Sequence, residues 1–214
     1  MSEDWKTLSL TLVVYPKGDL YGNFLAFVSL LPFAIIIAFF TLTIFVRDIH
    51  VILFFIGQLI NEAINYLLKN HAQADRPANK FREQLTPSGS SSYGWPSSHC
   101  QFMAFFVVYS SFCVCFRLSR LKPYWFCFML ICLDLISFAF VFHSRTYLLY
   151  HHVHQCIHGA MIGIIIAIIW YALVHFIFEP TIHHYLMTSS INQFIGLCSI
   201  YLPLDGQQKQ HKNR

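Results

Sequence analysis

Five long apolar runs constrain this 214-residue chain more than anything else in it. They cover roughly 24–46, 50–68, 100–116, 125–142 and 157–178. A bilayer core about 30 Å thick needs about 20 apolar residues per helix. The third and fourth runs are a little short, which tilt or polar ends can accommodate. None shows the two-residue alternation of an outer-membrane strand. Lipid offers no partner to a backbone N–H or C=O, so each run has to satisfy its own groups as a helix. The expectation is an all-α, polytopic transmembrane bundle of about five spans. Residues 1–23 then form a polar N-terminal segment, 24–179 the membrane domain, and 180–214 an interfacial segment with a polar tail. Within that tail, 185–204 is apolar but interrupted by Ser189, Ser190, Asn192 and Gln193, which favours an interfacial helix over a sixth span.

Composition agrees and excludes other classes. Hydrophobic residues make up 56% and charged residues 11%, against roughly 25% charge in a soluble domain. The net charge of +4 comes without a basic run or an aromatic-flanked basic patch, so no nucleic-acid partner is expected. The seven cysteines include no Cys-x-x-Cys pair, which argues against a zinc knuckle or a redox pair.

The connections place the polar residues. A turn at 47–49 makes the first two spans an antiparallel hairpin, and 69–98 is the longest loop. With five alternating spans, the end of the second, the start of the third, the end of the fourth and the start of the fifth share one membrane face. Three polar clusters fall there: Lys69-x6-Arg76-Pro77, Pro96-Ser97-Ser98-His99, and Ser144-Arg145-x5-His151-x3-Gln155. Each has an ordinary explanation alone, since basic residues at helix ends snorkel to headgroups and Pro-Ser-Ser is a good helix start. Together they supply what a phosphoryl group requires. Lys69, Arg76 and Arg145 offer positive charge to its oxygens. The start of the third helix offers free N–H groups beside the Ser97 and Ser98 hydroxyls. His99 could protonate a leaving oxygen, and His151 could attack phosphorus.

These clusters, in this order, resemble the signature of the type 2 phosphatidic acid phosphatase superfamily: Lys-x6-Arg-Pro, Pro-Ser-Gly-His and Ser-Arg-x5-His-x3-Asp. Within it, YPKGDLYG, NEAINYLLKN, DRP, YGWPSSHCQFM and SRTYLLYH resemble the dolichyl diphosphate phosphatase family over about residues 15–160. The resemblance implies a type 2 phosphatidic acid phosphatase-like core and hydrolysis of dolichyl diphosphate to dolichyl phosphate and inorganic phosphate. A phosphatase for another lipid phosphate such as phosphatidate, or a non-catalytic lipid-phosphate binder, is the alternative. His151 matches the nucleophile that forms a phosphohistidine, and His99 the general acid. Lys69, Arg76, Arg145, Ser97 and Ser98 match the phosphate-binding groups. No metal or other cofactor is implied, and the partners are the membrane and a polyisoprenoid diphosphate. The resemblance also implies an endoplasmic reticulum location, a lumen-facing site and a role in recycling the carrier for N-linked glycosylation. Ser98 replaces the Gly of the pattern. Gln155 replaces the Asp that orients the nucleophile, and its amide oxygen could still accept the His151 N–H.

Further residues carry weaker signals. His151, His154 and His158 share a helix face and could hold a metal. Glu62, an ionisable group inside a span, is a candidate supporting partner of Lys69 seven residues on. Asp134 draws the same attention. The Lys and Arg count is tied between the two faces. If Lys69, Arg76 and Arg145 serve phosphate, the remainder places the motif face away from the cytosol.

Overall fold

The computed structural model describes residues 5–8, 13–78 and 93–181. The chain begins with two antiparallel strands, β1 (Trp5–Leu8) and β2 (Val13–Pro16), which pair Lys6 with Tyr15 and Thr7 with Val14. Six α-helices follow among the described residues: α1 (Leu20–Val28), α2 (Leu31–Phe45), α3 (Ile49–Ala72), α4 (Ser98–Phe116), α5 (Tyr124–Tyr147) and α6 (Val153–Leu173). A π-helical turn, Val174–Phe178, prolongs α6. Five helical segments are long and apolar enough to cross a membrane: Leu20–Phe45, Ile49–Ala72, Ser98–Arg120, Tyr124–Tyr147 and Val153–Thr181. The chain is therefore a multi-pass helical membrane protein, as its apolar runs predict. The β1–β2 pair is an addition, lying inside the segment read as merely polar. The stretch 185–204 lies outside the described residues, as does most of the 180–214 segment.

The first span is two helices rather than one. Pro32 has no N–H to give the carbonyl of Val28, and its ring crowds that same carbonyl. The helix stops at Val28 and restarts at Leu31. Ser29 occupies the break, and its Oγ donates to the Ala26 carbonyl at 2.7 Å. The two pieces find different neighbours, α1 packing on α5 and α2 on α3.

The tightest interface is α4 against α6. Small residues make it possible, as is common between helices in lipid, where close backbone approach replaces hydrophobic drive. A Cβ on Gly159 would lie 2.5 Å from the Ser97 carbonyl oxygen, and one on Gly163 would lie 2.3 Å from that of Gln101. Neither position has room for a side chain. By contrast α5 buries little besides Cys127, Val141, Ser144 and Arg145. It is a lipid-facing helix whose last turn delivers two polar residues to the bundle.

Candidate active site

The site is built where α3, α4, α5 and α6 end or begin on one face of the bundle. Its base is a set of amides. Gln101 Nε2 donates to the Asn61 carbonyl at 3.0 Å and to Asn61 Oδ1 at 2.9 Å. Asn65 Nδ2 donates to Gln101 Oε1 at 2.8 Å and to the Pro96 carbonyl at 3.4 Å. All three side chains are buried and mutually satisfied. This locks α3 against the first two turns of α4, because unmaking any of these bonds strands a buried polar group. On the same helix Lys69 is thereby brought to α4, where its Nζ donates to Ser98 Oγ at 3.2 Å.

Ser97 is the N-cap of α4 in an extended conformation, yet no side chain caps the helix. The first turn of α4 keeps the partial positive charge and N–H direction that attract an anion. Ser97 itself is wholly buried, and its N–H donates to the Gln155 carbonyl at 3.1 Å, which fixes the start of α4 on α6. Ser98 is the more accessible of the two serines.

The loop between α5 and α6 sets Arg145 and His151 together. Leu149 takes a left-handed φ of 56°, unusual for a residue with a branched side chain. The chain then folds back so that the N–H groups of Tyr150 and His151 both donate to the Arg145 carbonyl, at 3.0 and 3.1 Å. The Arg145 guanidinium lies 4.1 Å over the Tyr150 ring and is only 4% exposed. Tyr150 Oη in turn accepts from the Val14 N–H at 2.9 Å, so the β2 strand braces this corner.

His151 is 3% exposed. Its Nδ1 lies 2.8 Å from the Gly94 carbonyl oxygen. A carbonyl can only accept, so Nδ1 carries the proton and Nε2 presents its lone pair. Burial pushes the His151 pKa well below its ordinary value, and the Arg145, Arg76 and Lys69 charges push it further the same way. The Gly94 carbonyl opposes them. The ring is therefore neutral at physiological pH, the state a nucleophile needs.

Gln155 makes the expected contact with His151 and adds others. Its Oε1 lies 3.4 Å from His151 Nδ1, a longer contact than the Gly94 carbonyl makes, and accepts from the His152 N–H at 3.1 Å. Its Nε2 donates to the Asp75 carbonyl at 2.7 Å. The Gly94 N–H donates to the Ala74 carbonyl at 2.7 Å. Gln155 thus staples the start of α6 to Asp75 before the long loop, the Gly94–Ala74 bond joins the two ends of that loop, and Gly94 holds the histidine. A Cβ at Gly94 would sit 2.6 Å from the Asp75 carbonyl oxygen and 2.8 Å from Gln155 Nε2. Only glycine lets these strands approach. Arg76 adjoins the same point, its Cγ 3.0 Å from that hypothetical Cβ.

His99 stands on the first turn of α4, half-buried, with its ring edge-on to Phe33 at 5.9 Å. It lies within electrostatic range of Arg145, His151, Lys69 and Arg76. The structure therefore brings together Lys69, Arg76, Ser98, His99, Arg145, His151 and Gln155, with Ser97 just beneath. Glu62 is half-buried on the flank of the Asn61–Asn65 stripe and lies within electrostatic range of Lys69. Asp134 is remote from the site and accepts from Ser110 Oγ at 2.6 Å. Among the described residues no group of three His, Cys, Asp or Glu side chains is placed to hold a metal ion. His158 instead accepts from Trp95 Nε1 at 2.8 Å, so the His151–His154–His158 grouping does not assemble.

Sequence reasoning passed over Gly94, Gln101 and Tyr150. The amides left a trace, since Asn61, Asn65 and Gln101 are polar residues inside apolar runs. Nothing in Tyr-Gly-Trp marks Gly94 as the partner of a histidine 57 positions later.

Comparison with known proteins settles the family. A model of the PAP2 superfamily matches residues 50–179, which include all three clusters. A protein of Rhinolophus ferrumequinum named dolichyldiphosphatase 1 is 40% identical over 181 residues, covering 82% of this chain and 74% of the relative. The chain belongs to the dolichyldiphosphatase family of the PAP2 superfamily. A Dictyostelium discoideum dolichyldiphosphatase 1 is 37% identical over 198 residues, covering 88% of this chain and 79% of the relative. The lipid phosphate phosphatase gamma of Arabidopsis thaliana is 35% identical over 183 residues, covering 82% and 76%. No solved structure matches. Family membership and the geometry thus meet on the same residues, because the clusters that converge in space lie inside the matched segment.

Proposed function

We propose that this membrane protein hydrolyses dolichyl diphosphate to dolichyl phosphate and inorganic phosphate, with His151 as nucleophile and His99 as general acid. The observation that carries the mechanism is the 2.8 Å contact between His151 Nδ1 and the Gly94 carbonyl, which puts the proton on Nδ1 and leaves the Nε2 lone pair to a ring within electrostatic range of Arg145, Arg76 and Lys69. Lys69, Arg76, Arg145 and the N-terminus of α4 take the terminal phosphoryl group. His151 Nε2 attacks its phosphorus, the bond to the bridging oxygen breaks, and His99 protonates that oxygen as dolichyl phosphate departs. Water then attacks the phosphohistidine, giving its proton to the now neutral His99. The N–P bond breaks and inorganic phosphate leaves. Positive charge already in place where negative charge develops supplies most of the expected acceleration.

The relatives named dolichyldiphosphatase support the diphosphate as substrate. The relative named lipid phosphate phosphatase gamma supports the wider alternative of another lipid phosphate such as phosphatidate. Residues 24–179 are read as the phosphatase domain. The setting is the endoplasmic reticulum membrane with the site toward the lumen, where the reaction would recycle the carrier for N-linked glycosylation. Arg47, Arg117, Arg120 and Lys122 at the opposite ends of the spans favour that orientation.

The test is phosphate release by purified protein in detergent from dolichyl diphosphate, dolichyl phosphate and phosphatidate, with chelator present. Preferred release from the diphosphate is the expected result. Preferred release from phosphatidate would replace the reading by its alternative, and no release from any would leave a binder.

A further inference from the structure

The first span breaks beside the active site. A cavity of about 370 Å³ lies at that break, bounded by Ser29, Leu30, Phe33, His99, Arg145 and Tyr150. That volume is at the lower end of the roughly 300–1,000 Å³ of small-molecule sites. Its ionisable ring and its charge are on the catalytic wall, His99 and Arg145, with Tyr150 beside them. The wall formed by the first span is Leu30 and Phe33 with Ser29, whose hydroxyl is taken up by the Ala26 carbonyl. Phe33 is 54% exposed on a membrane-crossing segment, as are Phe27 at 55% and Ile37 at 66%. The first-span wall of the cavity therefore belongs to a segment whose outer face meets acyl chains.

Other sides of the site are tightly packed. The Asn61–Asn65–Gln101 bonds seal α3 to α4. The glycine contacts seal α4 to α6, and the Gly94 strap lies over His151. The cavity past His99 is open to an elongated apolar group attached to a bound diphosphate.

The geometry points to this cavity as the subsite for the first isoprene units of the leaving lipid, with the break at Ser29–Pro32 as its side port into the bilayer. The inference rests on the proposed reaction, and it follows from where the acid stands. If His99 protonates the bridging oxygen, the departing lipid phosphate lies on the His99 side of the site. Its own phosphate then meets Arg145, and its chain runs along Leu30 and Phe33. Proline 32 acquires a role in this picture: by ending the helical ladder it lets the span step aside where the chain must pass.

The test has two arms. A polyprenyl monophosphate bearing a diazirine on its first isoprene unit is photolysed with the wild-type protein in detergent. Labelling within residues 29–33 is expected, and labelling confined to another span would overturn the assignment. In the second arm kcat/KM is measured for dolichyl diphosphate and for methyl diphosphate. Leu30→Trp is expected to lower the dolichyl-to-methyl ratio about tenfold, the scale of a misfit in an apolar pocket. Ile37→Trp, on the same span but away from the cavity, is expected to leave the ratio as in wild type. A Leu30→Trp ratio equal to that of wild type would refute the subsite. Failure of the wild-type protein to hydrolyse either diphosphate would instead refute the proposed function, so the two failures are distinguishable.

Discussion

The two ends of the bundle carry similar residues and do opposite things with them. At the motif end, Lys69, Arg76 and Arg145 surround His99 and His151. At the other end, Arg117 pairs with Glu179 and bonds to His50. His175 Nδ1 lies 3.3 Å from the same carboxylate, and Asp48 caps α3 through the His50 and Val51 N–H groups. Cations and histidines are thus present at both ends. What separates them is the partner of the histidine. His50 lies between the Arg117 guanidinium and the Glu179 carboxylate, and His175 reaches the same carboxylate, so charge closes on charge in a finished network. His151 is held neutral by burial and by three nearby cations, and it is aimed by the Gly94 carbonyl. A histidine kept neutral among positive charges is costly to fold around and useful only where an anion arrives, which is why the pattern of partners discriminates function where composition does not.

The largest expected effect that separates the ends comes from deleting each histidine. His151→Ala should reduce phosphate release from dolichyl diphosphate by at least about 10⁴-fold, the scale for removing a nucleophile. His50→Ala should leave release within about threefold of wild type, because it touches no reacting group. Equal losses would erase the distinction. Next is Gly94→Ala, whose new methyl group must displace either the Asp75 carbonyl or Gln155. Moving the His151 acceptor by about 1 Å should cost on the order of 10²-fold in kcat. Gln155→Ala removes the staple but leaves the Gly94 carbonyl in place, and a loss of about 10-fold to 100-fold in kcat is expected. A loss as large as that of His151→Ala would show that Gln155, not Gly94, orients the ring.

The titration of His151 sharpens the same contrast. Its folded pKa lies well below the ordinary 6.5, so the folded protein binds no proton there when the unfolded chain already does. Its contribution to stability is accordingly present above pH 6.5 and shrinks as pH falls below that value. Histidine-selective ¹⁵N NMR should find the His151 ring still neutral at pH 6, with the hydrogen on Nδ1. A protonated ring at that pH would mean that the cations do not act on it. The smallest effect belongs to the far end. Glu179→Gln should lower stability by about 1–3 kcal/mol by leaving Arg117 short of its counter-charge. A thermal melt reads that loss, and kcat should not change.

The fold was legible because lipid narrows the choices. Five apolar runs of the right length leave few architectures, and the alternation of spans alone put the three clusters on one face. The break at Pro32 could have been read from the proline, but the run around it is apolar enough to pass as one span. At the site, the charged residues and histidines were legible because their chemistry is in their side chains. The acceptor for His151 was not, because it is a main-chain carbonyl, and any residue carries one. Gln155 was visible as a departure from the family pattern. Its actual bonds, to the Asp75 carbonyl and the His152 N–H, depend on how the long loop closes, and spacing says nothing about that.

The most direct test of the account is to catch the covalent intermediate. Purified protein is mixed with dolichyl diphosphate labelled in its terminal phosphate, quenched within a turnover and digested under alkaline conditions that preserve phosphohistidine. The account predicts label on the peptide containing His151, lost in His151→Ala. Turnover at the wild-type rate with no protein-bound label, or label on His99 instead, would contradict it.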